Sequence, residues 1–426
     1  MMTLPPNEQK LSPYRWVVWG ILVSIYLIVF FHRLSVGVIA EDLVSTFGMS
    51  ATQIANLGSM YFYAYTIMQI PSGILADYLG PKKTAIIGCI VAAIGSGIFS
   101  FAINVPMAYV GRLLVGLGVS VIFLCVLKIQ SNWFLAEKFA TMSGLTSFIG
   151  GLGGVLAQGP LLMVVGLMGW RNSFRLIGII TFVFAILTLI FVKNTPTEMG
   201  LPEINPQQIQ ASKREENILS QLFAIIKNPR IWAPSITFGG INGGFMLFAG
   251  TFGVSYIAIV YEVNKILAAN MVSMLLVVSS IANLFIGKIS DTLRGRKGPL
   301  LVLAVAAVIG WGILVFLKPP LWFMFVFVVL IGISSSIGVL CWSLGKEVSD
   351  PKLAGMSISI VNVSGFFFAA LLQVICGKLI DINLSKGLPM DMAYTNAFIV
   401  PAISSFVALI FALLSKETKC ENIYTQ

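Results

Sequence analysis

The chain has 426 residues, of which 57% are hydrophobic and only 10% charged, with a mean hydropathy of +0.92. Soluble domains carry about 25% charged residues, and a soluble fold of this length could not shield so much apolar surface from water; a chain embedded in lipid can. The net charge of +10 would also suit nucleic acid, but the Lys and Arg residues are scattered between apolar runs and form no basic domain, which excludes that partner class.

Met1 to Arg15 are polar and Pro-containing, without the short apolar core and cleavage site of a signal peptide. The first helix is therefore expected to act as the insertion signal. A helix needs about 20 apolar residues to cross the hydrocarbon core. That length predicts spans at 16–40, 54–76, 84–103, 107–133, 143–165 and 174–192. A polar stretch follows with Pro196, Pro202, Pro206 and the run Lys213-Arg214-Glu215-Glu216, and then spans at 232–261, 269–289, 299–317, 321–345, 355–380 and 394–414. The expected fold is an all-α membrane protein of twelve transmembrane helices in two six-helix halves, 1–192 and 231–426, joined by a linker at 193–230. With an inner N-terminus, eighteen Lys and Arg residues fall in inner segments, five in outer loops and four inside spans. The positive-inside rule then puts both termini in the cytoplasm.

The halves repeat. Gly73-Ile-Leu-Ala-Asp77 closes the second span and Gly287-Lys-Ile-Ser-Asp291 the eighth, 214 residues later, and Gln158 and Gln373 sit at nearly the same offset. Parallel repeats of this kind build one large class of transporters. The five cysteines have no CxxC spacing and four lie in apolar runs, so they read as packing residues. Gly150-Gly151-Leu-Gly153-Gly154 reads as a close-packing face, because no Lys-Ser/Thr follows to make a phosphate loop.

The stretch from Gly73 through Asp77 and Gly80 to Lys82 and Lys83 resembles the loop signature between helices two and three of the major facilitator superfamily. Arg112-Leu-Leu-Val-Gly116-Leu-Gly118 resembles its Arg-x-x-x-Gly-x-Gly element, and Gly169-Trp170-Arg171 its loop between helices five and six. The first copy departs from the pattern at Tyr78 and Pro81, and the second has an extra residue between Asp291 and Gly295. The resemblance covers Arg15 to about Lys416 and implies a gating role for Gly73, Asp77, Gly80, Lys82, Arg112, Gly116, Gly287 and Asp291. In this role the first glycine allows close helix contact.

Ionisable residues inside a span are costly and mark cavities or partners. Those here are Arg33, Arg112, Lys128, Lys378 and the single histidine His32, while the carboxylates fall at predicted span ends. A positively charged cavity without a balancing acid prefers an anion. Arg33 matches, by its distance from Arg15-Trp16, the phosphate-clamping arginine of the organophosphate:phosphate antiporter branch. The second arginine of that clamp is absent from the Gly-rich stretch around Asn242, which leaves a carboxylate held by one guanidinium. A competing reading has His32 and Arg33 snorkelling to the outer interface. Tyr61 and Tyr65 share a helix face, and Lys128, Gln158, Asn242, Asn362 and Gln373 complete the expected substrate-binding set. Helix-packing glue is an equal alternative for the amides. No nucleophile–base pair, metal cluster or cofactor loop stands out. The expected protein is a non-enzymatic secondary transporter of a small organic anion or zwitterion, such as a carboxylate, an amino acid or a phosphorylated metabolite. It should be a monomer in a bacterial cytoplasmic membrane, needing no cofactor or metal and coupled to a proton or a counter-anion. Efflux of drugs or metabolites, and a membrane solute sensor, are the alternatives.

Overall fold

The computed structural model describes residues 6–135, 138–201, 204, 218–317 and 319–424, and every regular element among them is helical. Ten stretches are long and apolar enough to cross a bilayer, and Ala51–Tyr78 and the shorter Thr141–Leu156 with its continuation supply the other two spans. Spans 1 to 3 are Pro6–Leu34, Ala51–Tyr78 and Pro81–Ser100; span 4 is Val105–Val119 with Ile122–Trp133. Span 5 begins as Phe139–Leu156, breaks at Ala157 and Gln158, and resumes at Gly159. Gly169, at φ +76°, then reverses the chain into span 6, which ends at Phe191. Span 7 is Trp232–Leu247 and Gly253–Val260 joined by a wide turn at Phe248–Phe252. Spans 8 and 9 are Lys265–Thr292 and Lys297–Phe316; span 10 is Phe323–Ser334 with Ile337–Glu347; span 11 is Ala354–Ser385; span 12 is Met390–Ala397 with Ile399–Leu414.

The helix ends follow from local chemistry. Ser50 and Gln53 form a reciprocal capping box at the start of span 2, and Asn104 and Asn264 cap spans 4 and 8. Gaps inside spans 4 and 10 fall at Ser120 and at Ser335-Ser336, where the hydroxyls take up carbonyls three residues back. Backbone freed inside a membrane must be satisfied within the protein, and serine does so at both sites. The repeat reaches this level of detail: spans 2 and 8 each have 28 residues, spans 3 and 9 each have 20.

Two expected boundaries move. The first span stops at Leu34, and Ala40–Phe47 forms a separate short helix, ended by Gly48 at φ +64°. The fifth and sixth spans lie on either side of Gly169, five residues earlier than the predicted start of the sixth.

Span 2 runs along span 11, and span 5 along span 8. Polar contacts between residues 6–201 and 218–424 gather at the end where span 2 begins, the outer end in the expected orientation. Glu41 pairs with Lys265 at 2.5 Å. The Asp381 carboxylate on span 11 accepts the N–H groups of Ala51 and Thr52, both at 2.9 Å. Deeper in the bundle, the Ser59 hydroxyl donates to the Ala370 carbonyl at 3.0 Å, and Gln158 joins the carbonyls of Leu34 and Ala249. Nearer the inner end, Asn362 donates to Gln69 at 3.2 Å. The Glu41 and Asp381 contacts join the two halves at the end where span 2 begins.

Candidate functional site

Arg33 occupies the last turn of span 1 and is buried, 6% exposed. Its guanidinium carbon lies 4.4 Å from the ring centre of Phe30, 5.1 Å from those of Tyr65 and Phe366, and 5.8 Å from that of Tyr61. The snorkelling alternative does not hold in this structure, because the aromatic cage encloses the side chain before it can reach the interface. Tyr61 and Tyr65, four residues apart on span 2, stack at 5.8 Å with their rings 19° apart. Their common face follows from helical spacing. Phe30 lies one turn before Arg33 on its own helix, whereas Phe366 comes from span 11. One cation therefore touches both halves of the chain.

Arg112 on span 4 is fully buried and stands on the other side of this group, 5.7 Å from the Tyr61 ring and 5.9 Å from Phe99. Its Nη2 donates to the backbone carbonyl of His32 at 2.7 Å, which ties span 4 to the end of span 1. The His32 side chain is fully buried, and neither ring nitrogen has a hydrogen-bond partner among the described residues. Nε of Arg33, and Nε and Nη1 of Arg112, are likewise buried without one. Ion pairs among the described residues join Glu41 to Lys265 and Arg296 to Asp291 and Glu347, all at helix ends. Neither Arg33 nor Arg112 thus has a carboxylate partner among the described residues, and the two place positive charge beside Tyr61.

The expected amides divide by position. Gln158 is a bridge between span 1 and the wide turn of span 7, at 3.2 and 3.1 Å. Gln373 accepts from Thr251 at 2.8 Å and lies against Gly58. Asn242 donates to the Gly365 carbonyl at 3.1 Å, joining spans 7 and 11. Asn362 pairs with Gln69. These contacts are the helix-packing kind. Lys128 is half-buried on the second piece of span 4, about four turns beyond Arg112, and contributes no ring contact to the Arg33 cage.

The motif residues are mostly structural in this geometry. A Cβ on Gly116 would stand 2.6 Å from the Tyr61 carbonyl oxygen, so this glycine sets how closely span 4 approaches the ring beneath Arg33. Gly80 takes φ +79°, and Asn194 accepts the Lys82 N–H at 2.9 Å. Among the described residues nothing lies within 4 Å of the Cβ position of Gly73, so none of them makes the close contact expected there. Gly287 has Val339 nearby, at 3.7 Å, and no closer neighbour among the described residues. The side chain of Asp77 lies outside the described residues.

In the second copy of the motif the hub is Arg296. It holds Asp291 at 2.7 Å and Glu347 at 3.0 Å, and its neighbour Glu417 accepts the N–H groups of Arg296, Lys297 and Lys419. Burial alone would lower the Arg296 pKa, but the hydrogen bonds it donates to Glu347 and Asp291 outweigh it and raise it. Arg296, Glu347, Phe30 and Phe366 were not legible as site residues. Only Phe30, one turn from Arg33, carries a local signal.

Comparison with known proteins agrees with this architecture. The probable sulfoacetate transporter SauU of Cupriavidus necator is 23% identical over 427 residues, covering 96% of this chain and 97% of that protein. The probable L-galactonate transporter of Escherichia coli (strain K12) is 22% identical, over 84% of this chain and 81% of that one. A bacterial homolog of the human lysosomal transporter Spinster, in an inward-facing and unoccupied conformation, superposes with a TM-score of 0.77 at 17% identity, over 95% and 97% of the two chains. The family model of the Major Facilitator Superfamily matches residues 22–374. With twelve spans, a repeated six-helix pattern and that match, the chain belongs to the Major Facilitator Superfamily and is an integral membrane transporter, not an enzyme.

Proposed function

We propose that this protein carries small organic anions, bound at mid-membrane by Arg33 between residues 1–192 and 231–426. The single observation behind this reading is the Arg33 guanidinium, buried among four aromatic rings with no carboxylate partner among the described residues. A buried charge left unpaired is costly, and an incoming carboxylate, sulfonate or phosphate would offset that cost with fork-shaped hydrogen bonds. Tyr61, Tyr65 and Phe366 would form the walls, and Arg112 would add a second positive field from behind Tyr61. The relatives named for sulfoacetate and L-galactonate are consistent with anionic cargo.

The charge balance also favours exchange over proton coupling. An empty carrier would have to occlude two guanidiniums without a described carboxylate partner, whereas a loaded one is partly neutralised. The positive-inside count supports cytoplasmic termini in a bacterial inner membrane. The test is uptake into proteoliposomes of labelled sulfoacetate, galactonate and a hexose phosphate, with the interior empty or preloaded with the same anion, and with or without a pH gradient. The reading predicts anion uptake that is stimulated by preloading. Preference for organic cations would overturn it, and uptake into empty vesicles driven only by the pH gradient would overturn the exchange assignment.

A further inference from the structure

A cavity of about 240 Å³ opens where three helix ends meet: the start of span 7, the end of span 10 and the end of span 12. Both described chain ends lie on this side of the bundle, and the cavity is therefore at the level where the hydrocarbon core gives way to headgroups. Its floor is apolar, formed by the buried Pro234, Leu344 and Val348 together with Phe411. Its rim carries Arg230 and Lys416, and no acidic residue lines it among the described residues. We propose that this groove binds an anionic phospholipid, one acyl chain along the floor and the phosphate between Arg230 and Lys416.

Three features support that occupant. First, Nη1 of Arg230 donates to the Ile423 carbonyl at 2.9 Å, which holds the guanidinium at the rim and leaves Nε and Nη2 without a partner among the described residues. Second, Trp232 lines the cavity and is 44% exposed, and its indole N–H donates to the Ile226 carbonyl at 3.1 Å. Tryptophan concentrates at membrane interfaces. Third, that bond attaches the helix Ile218–Ile226, whose Phe223 and Ile226 are 60% and 38% exposed. Apolar residues exposed on a short helix beside the groove continue one lipid-facing surface. Two cations without an acid select a net negative headgroup over a zwitterionic one. A free phosphate would gain nothing from the apolar floor, so the whole groove is used only by a lipid. Because Arg230 also holds Ile423, an occupied groove would fasten the C-terminal segment to the membrane.

The experiment is native mass spectrometry of the purified full-length protein, with phosphatidylglycerol and phosphatidylcholine of equal chain length added in turn. Each cation at a headgroup surface contributes about a fivefold factor in affinity, so the double variant R230Q/K416Q should lose phosphatidylglycerol retention by about 30-fold. A233F fills the groove while keeping both charges and should lose retention as well. K138Q, which removes a cation elsewhere at the inner end, should not. Equal retention of the two lipids, unchanged retention in both groove variants, or equal loss in K138Q would overturn the proposal. Displacement of the lipid by millimolar inorganic phosphate would assign the rim to a free anion and overturn it too.

Discussion

Replacing Arg33 separates a binding role from a structural one, because the two predict opposite effects on stability. The guanidinium lies 4.4 to 5.8 Å from four ring centres, and each such contact is worth roughly 0.5–2 kcal/mol. Against this stands the desolvation of a charge with no described carboxylate partner, which costs several kcal/mol. The terms nearly cancel, so Arg33→Gln should leave the melting temperature unchanged or slightly raised. Its effect on transport should be large. A unit charge about 4 Å from an anion at an effective dielectric constant of 20 is worth about 4 kcal/mol, or about a thousandfold in affinity. Arg33→Lys keeps the charge and loses the fork; one charge-assisted hydrogen bond of roughly 1.5–3 kcal/mol corresponds to a rise in KM of roughly 10- to 150-fold. Initial-rate uptake in proteoliposomes, alongside thermal melting of the same preparations, reads both quantities. Uptake by Arg33→Gln close to the wild-type rate would refute the anion site. A steep loss of melting temperature in step with lost transport would make Arg33 a packing residue instead.

Other perturbations test the frame around it. Asp381→Asn weakens the cap on the first N–H groups of span 2; at about 1–2 kcal/mol it should shift the population toward the outer-open state by roughly five- to thirtyfold, read as labelling of an introduced outer-cavity cysteine. No change in labelling would mean the latch carries no energy. Gly116→Ala pushes a methyl into the Tyr61 backbone and should cost about 1–3 kcal/mol while raising KM, through displacement of the ring under Arg33; unaltered melting would show that spans 2 and 4 can separate freely. Burial would raise the Glu417 pKa, but the N–H groups of Arg296, Lys419 and Lys297 hold it below 4.5. A depressed carboxylate stabilises the folded tail above its unfolded pKa and loses that contribution as pH falls through the folded value. Hydrogen exchange at residues 415–424 should therefore accelerate only below about pH 4.5, and Glu417→Gln should remove the pH dependence; exchange that rises already near pH 6 would contradict the assignment.

The number of spans, their repeat and the family were legible because each rests on local properties: run length, hydropathy and motif spacing. Tyr61 and Tyr65 were legible as a pair for the same reason. What escaped was non-local. Whether Arg33 reaches lipid or lines the interior depends on span 1 ending at Leu34 and on Phe366 arriving from span 11. The break at Gln158 was hidden in a glycine-rich run that reads equally well as a continuous packing face. Arg296 looked like one more cation in a basic turn, since its partner Glu347 is 51 residues away. Gly73 erred in the opposite direction: the motif implied a close contact that no described residue makes.

That last difference bears on mechanism. The strong ionic cluster at the end where spans 8 and 10 finish, Arg296 with Asp291 and Glu347, lies wholly within the C-terminal half. The contacts across the two halves among the described residues are weaker in kind: a partly exposed Glu41–Lys265 pair, a carboxylate on two helix-end amides, one serine hydroxyl on a carbonyl, and single amide bonds. Exposed pairs contribute about 0–1 kcal/mol, whereas breaking a buried pair costs about 3–5 kcal/mol. In a rocking cycle each half must stay rigid while the seam between them opens and closes. The distribution of strong bonds within the C-terminal half and weak ones across the seam suits that motion. The lack of a close described neighbour at Gly73 follows if span 2 finds its inner-end partner only when the seam closes on that side. Gly73→Leu should then leave inward-facing binding intact and block exchange, and normal exchange by this variant would remove the argument.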